Sequence, residues 1–204
     1  RRVLFRSKKM TQKPIIHNKT LKAKSRLFRI EALDLEFSNG EKRVFERLTR
    51  GNSSGAVLIV PMLDSNTVLL VREYAAGVDR YELGLPKGKV DDGETPLVAA
   101  NRELKEEVGY GARQLTFITS LSIAPAYLEH MTDIILAEDL YPEKLEGDEP
   151  EELEVIPWRL DDLQLLFSQG DCTEARSIAA LYLIRDYLSK ANDNTVNFSS
   201  IGNN

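Results

Sequence analysis

Glu103, Glu106 and Glu107 stand at positions i, i+3 and i+4. On a helix, that spacing puts three carboxylates on one face, a turn apart. So close together they repel, and a cation among them relieves the repulsion. Hard divalent cations take oxygen ligands and commonly share the phosphate oxygens of a substrate. The spacing suits a metal–phosphate site. It also suits an acidic face turned to water, and spacing alone leaves both readings open. Residues 87–93 precede the helix and include Gly88 and Gly93. A loop feeding a helix N-terminus brings backbone groups close to a ligand. Glu94 can fold back towards the cluster, and Arg102 can grip a carboxylate with two nitrogens.

These residues need a helix to hold them, and the pattern predicts one over 95–108. Thr95 suits the N-cap, Pro96 the first helical position and Gly109 the residue just past the end. Buried strands are expected at 56–62 (AVLIVPM) and 67–72 (TVLLVR), and further strands at 81–85, 115–121, 132–137 and 155–158. The acidic stretch 143–154 reads as a loop. Two helices follow, near 160–168 and 173–190, the second with Ile178, Leu181, Ile184 and Leu188 as its core stripe. Ahead of all this, residues 27–37 alternate, with Leu33, Leu35 and Phe37 on one side. Asn39-Gly40 marks a hairpin turn, and 42–48 supplies the returning strand. Residues 51–55 (GNSSG) form the best internal break.

The motif resembles a known family. The pattern G-x5-E-x7-R-E-U-x-E-E-x-G-U, with U a bulky apolar residue, is the Nudix box. Gly88, Glu94, Arg102, Glu103, Leu104, Glu106, Glu107 and Gly109 stand at the matching positions. Tyr110 departs from it, an aromatic where an aliphatic residue is usual, at a position that packs. The resemblance implies an α/β fold: a Nudix α/β/α sandwich with a mixed sheet, here preceded by an N-terminal β-hairpin region. It implies hydrolysis of a nucleoside diphosphate linked to another group. Glu103, Glu106 and Glu107 would bind divalent cations, Mg²⁺ or Mn²⁺, with the backbone carbonyl of Lys87 joining them. Glu94 and Arg102 would support that set. The cations would activate water for attack on phosphorus.

Features outside the box bear on the substrate. Family members acting on ADP-ribose tend to carry a proline 16 residues after the last box glycine, the place of Pro125. Those acting on dinucleoside polyphosphates tend to carry a tyrosine slightly further on, near Tyr127. Segments from residue 27 to 158, among them DLEFSNG, REYAAG, YELG and DLYPEKLEGDEPE, resemble the NudE-type branch, which hydrolyses ADP compounds. That likeness implies ADP-ribose, NADH and diadenosine tri- or diphosphate as substrates and AMP as a product. Glu82 matches a glutamate that often contacts substrate. Arg72 and Glu73 are expected to face the same cleft, though Glu82 and Arg72 could equally form a structural ion pair. Glu149 and Glu151 match the acidic loop that carries the general base in related enzymes, and otherwise form an acidic surface. The hairpin region would cross to a second subunit and help hold adenine, so a homodimer is expected. His130 reads as a local hydrogen-bonding residue. Hydrolysis of GDP-mannose or another nucleotide sugar is an alternative, as are a non-catalytic ADP-ribose or NAD sensor and removal of RNA caps.

Composition narrows the classes. The chain has 204 residues, 42% hydrophobic and 29% charged, enough to bury a core. The net charge of −5 is unlike a protein that grips nucleic acid, so no nucleic-acid partner is expected. No apolar run approaches the roughly 20 residues that span a bilayer, and no membrane partner is expected. Cys172 is the sole cysteine, which fits a reducing cytoplasm. Residues 1–25 are expected to form a loose arm, its first part a leader ahead of a natural start at Met10. Residues 26–50 form the hairpin region, 51–192 the catalytic domain and 193–204 a disordered tail.

Overall fold

The computed structural model describes residues 12–49 and 55–199, without the side chains of 191–199. It divides into two compact units. One comprises the N-terminal residues to 52 with 124–130; the other comprises 53–123 and 131–204. The predicted leader, and all of the predicted break at 51–55 except Gly55, lie outside the described residues.

The first unit is a three-stranded antiparallel sheet in the order β1 (Ile15–Lys24), β2 (Arg29–Glu36), β3 (Lys42–Leu48). The β2–β3 hairpin is the predicted one, with Gly40 at φ 82° in its turn. The loose arm is overturned over 15–24: those residues pair with β2 through two register shifts. Every residue of β1 is exposed, so no hydrophobic period marks it; backbone pairing holds it, with a side-chain contact from His17 to Glu36 at 2.7 Å. Ala32 and Leu33 of β2 are the buried residues of this sheet. The turn at 125–127 belongs to this unit: Leu48 N donates to Tyr127 O at 2.7 Å and Glu129 N to Leu48 O at 2.8 Å.

The second unit carries seven strands in two sheets among its described residues. β7 (Lys87–Lys89), β4 (Ala56–Pro61), β9 (Met131–Pro142) and β8 (Tyr110–Ser122) form a mixed sheet, with β4 and β9 parallel. β10 (Glu154–Arg159), β5 (Thr67–Ala75) and β6 (Arg80–Gly84) form an antiparallel one. The unbroken apolar run of β4 reflects burial on both faces. Val57 and Ile59 pack with Ala99, Ala100, Leu104 and Val108 on the side of α1 (Pro96–Glu103). Leu58 and Val60 point the other way, into a cluster with Leu163 and Leu166 of α2 (Leu163–Ser168) and Leu181 and Ile184 of α3 (Ala175–Ser199). That alternation builds the α/β/α sandwich from one strand.

Three details depart from expectation. β8 and β9 extend well beyond 115–121 and 132–137, because they pair over nearly their whole lengths. The stripe of α3 turns onto Ala180, Leu181 and Ile184, leaving Ile178 half-buried. α3 also runs to Ser199, where a disordered tail from 193 was expected; 200–204 lie outside the described residues. Among the described residues no helix is long and apolar enough to cross a membrane.

Candidate active site

α1 begins as its sequence requires. Thr95 caps it, its hydroxyl accepting from Val98 N at 3.3 Å, and Pro96 opens the first turn. The predicted helix then changes character. Residues Leu104–Val108 form a π-helical turn, and Gly109 ends it at φ 80°, in the left-handed region where glycine is favoured. Leu104, Glu107 and Val108 point inward, while Glu103 and Glu106 are half-buried.

Arg102 organises the acids. Its Nε and Nη2 donate to the two oxygens of Glu94 at 3.0 and 2.9 Å, a two-pronged pair. Nη1 donates to Glu103 at 2.8 Å and to Glu106 at 2.9 Å. Nη2 also reaches the carbonyl oxygen of Lys89 at 3.0 Å, which ties the loop to the helix. The guanidinium beside Glu94 holds that carboxyl below its ordinary value. Burial pushes the Glu103 carboxyl up despite Arg102.

Glu107 is different. It is 4% exposed, and one oxygen accepts from Lys87 N at 3.1 Å. Burial pushes its carboxyl up to about 8, with Lys87 as the opposing influence. The Lys87 ammonium pairs with Glu73. Gly88 follows from this packing: a Cβ there would lie 1.9 Å from Cδ of Glu103. Only a residue without a side chain lets β7 pass so close to the helix.

The donor set fits a divalent cation. Three carboxylates and the backbone at Lys87 lie together, and a buried glutamate with a raised pKa is stabilised as an anion by added positive charge. Among the described residues no three acid side chains are disposed as ligands around one point, because Arg102 holds Glu103 and Glu106 on its own nitrogen.

A cleft of about 460 Å³ opens beside Lys87 and Glu73. Val71, Leu83 and Leu85 give it an apolar floor, and Glu82 and Glu174 line it with Glu73. Glu82 is engaged locally, accepting from Arg80 Nε at 2.6 Å and from Thr173 N at 2.9 Å. Arg72 is not among the lining residues. It donates to Asp171 at 2.7 Å and Glu154 at 3.0 Å, whereas Glu82 pairs with Arg80, so Arg72 and Glu82 are not each other's partners. Glu149 lies half-buried in the loop after β9, its carboxyl pushed up by burial and then by Glu73. Glu151 in the same loop accepts from Tyr81 Oη at 2.7 Å. Pro125 and Tyr127 belong to the other unit, and Tyr127 is 69% exposed. Thr173, Glu174 and Ser177 line the cleft from the start of α3 and were missed in the sequence, where they read as an ordinary helix start.

Comparison with known proteins gives this geometry a family. Residues 14–47 match the NudE-type Nudix hydrolase N-terminal domain, and residues 53–178 match the NUDIX domain. ADP compounds hydrolase NudE of Escherichia coli (strain K12) is 52% identical over 180 residues, covering 88% of this chain and 96% of that protein. An ADP-ribose pyrophosphatase of Bacillus subtilis (strain 168) is 30% identical over 83% of this chain and 94% of its own. A crystal structure of an ADP compounds hydrolase superposes with a TM-score of 0.83 at 51% identity, covering 90% of this chain and 98% of that one. An Arg-clamped acidic helix, a glycine that yields to Glu103 and these matches lead to one conclusion: the chain belongs to the Nudix hydrolase family and is an enzyme of it.

Proposed function

We propose that the protein hydrolyses the diphosphate linkage of ADP-containing compounds, ADP-ribose, NADH and diadenosine tri- or diphosphate among them, and releases AMP. The observation that carries this reading is the buried Glu107, held on the Lys87 amide at the edge of the cleft. It joins an acidic helix suited to phosphate-bound cations to a cavity large enough for the rest of a substrate. The similarity to an ADP compounds hydrolase and to an ADP-ribose pyrophosphatase supports the choice of ADP compounds.

Glu103, Glu106, Glu107 and the carbonyl of Lys87 are assigned to Mg²⁺, with Mn²⁺ an equal fit to oxygen donors. The bound cation supplies charge neutralisation at phosphorus and an acidified water. The protein's own groups do the rest. Arg102 orients the carboxylates. The cleft excludes water from the leaving half, and Glu82 offers an acceptor to its hydroxyls. Glu149 is assigned as the general base: it lies half-buried on the acidic loop, and burial raises its carboxyl above the ordinary value, which makes it a stronger proton acceptor. We further infer a homodimer, supported by the exposed Ile15, Ile16, Leu21 and Phe45 of the first unit. A cytoplasmic setting agrees with the free, buried Cys172.

The test is incubation with ADP-ribose, NADH, diadenosine triphosphate and GDP-mannose, with Mg²⁺ or with chelator, and product separation. AMP from the ADP compounds is expected, lost with chelator and in Glu107→Gln. Cleavage of GDP-mannose alone would leave the helix assignment standing and sink the substrate reading.

A further inference from the structure

The loop 143–153 carries Glu149, and its middle is held by very little. Its first part is fastened to the end of the acidic helix. Glu143 N donates to Gly109 O at 3.1 Å, Leu145 N to Lys105 O at 3.2 Å and Lys144 Nζ to Glu106 O at 2.9 Å. Its last residue, Leu153, is 9% exposed and packs in the core beside α1. Between these anchors, and among the described residues, 148–152 make a single hydrogen bond to the rest of the protein. It is the bond from Tyr81 Oη to a Glu151 carboxylate oxygen, 2.7 Å long.

The donor is well supported. Tyr81 stands on β6, and its ring packs edge-on against Tyr74 of β5 with centroids 5.6 Å apart. Tyr74 is fixed in turn by donating to Asp79 at 2.5 Å. On the loop side, Pro150 lies between Glu149 and Glu151. Proline fixes its own φ and restricts the residue before it to extended backbone. Holding Glu151 therefore holds Glu149, which is two residues away, at most about 7 Å along the chain.

We propose that Tyr81 is a positioning residue: its hydroxyl latches Glu151 and so sets Glu149 for proton abstraction. The proposal rests on the reading of Glu149 as base. Tyr81 does not touch the reacting atoms, and its effect passes through the loop. Both latch partners are exposed, so removing them leaves the core intact. Steady-state rates with ADP-ribose and Mg²⁺, together with amide hydrogen exchange of 148–152, test it on wild type, Tyr81→Phe, Glu151→Ala and the double variant. Each single variant is expected to lower kcat roughly 10-fold with KM within about twofold, since misplacing a base forfeits part of its contribution. The double variant should be no slower than either single one, and exchange of the loop should rise in all three. Unchanged exchange in Tyr81→Phe would overturn the latch. Faster exchange with wild-type kcat, or losses that multiply in the double variant, would overturn the positioning role. A wild type that leaves ADP-ribose uncut while exchange still responds to Tyr81→Phe overturns the role of the latch in this reaction. It traces the failure to the substrate reading.

Discussion

Glu107 makes protonation a stability question. With no cation bound, its carboxyl titrates at about 8 in the folded chain, against an ordinary 4.5. Below the ordinary value the folded and unfolded chains both carry the proton. As pH rises from 4.5 to about 8, the unfolded chain releases it and the folded chain keeps it, so stability falls across that window and levels off above it. Melting curves in chelator should show this fall, and Glu107→Gln should flatten it while abolishing turnover. Added Mg²⁺ should restore the wild-type melting temperature above about pH 7 and leave the variant unmoved, because binding to the native state alone stabilises it. Gly88 gives a second expectation. Gly88→Ala places a methyl group inside Glu103. The strand or the carboxylate must move, at a cost of about 1–3 kcal/mol. Chemical denaturation should show that loss, and turnover should fall with it.

The acidic helix and its neighbouring strand act as one element through Arg102. Lysine keeps the charge and loses the fork, so it cannot hold Glu94 by two bonds while reaching Glu103, Glu106 and the Lys89 carbonyl. Arg102→Lys should lower kcat/KM by roughly 10–100-fold, as disturbing groups that orient metal ligands generally does. Much of this element was legible beforehand. Thr95, Pro96 and Gly109 marked both ends of the helix, and the carboxylate spacing marked its working face. The π-helical turn was not legible, because Leu104–Val108 carries no residue that forbids an ordinary turn. β7 is three residues long, too short to show a period. β1 hid for the opposite reason: it has length but buries nothing, and periodicity is a record of burial. Arg72 was expected in the cleft beside Glu73; its partners Glu154 and Asp171 stand 82 and 99 positions away, and no local pattern marks them. The latch from Tyr81 to Glu151 spans 70 positions, and no local pattern announces such a pair.

At the scale of the molecule, the two units differ in how they are held. β4 is buried from Val57 to Pro61, whereas all ten residues of β1 are exposed. In hydrogen exchange on dilute protein, β4 amides should open only with global unfolding, and β1 amides should exchange far sooner. Protection of β1 that grows with protein concentration would support the homodimer, and indifference to concentration would count against it. Within the second unit, the alternation along β4 reaches further. Its odd-numbered residues, Val57 and Ile59, touch the acidic helix, and Leu58 and Val60 touch α2 and α3. The two cores share this strand as a common wall. Neither layer can melt while the other stays solid, so the unit should give one calorimetric transition. The catalytic helix thus takes its heat resistance partly from methyl groups on the far side of the sheet: Val60→Ala should bring the onset of thermal inactivation down in step with the melting point, though it touches nothing in the site.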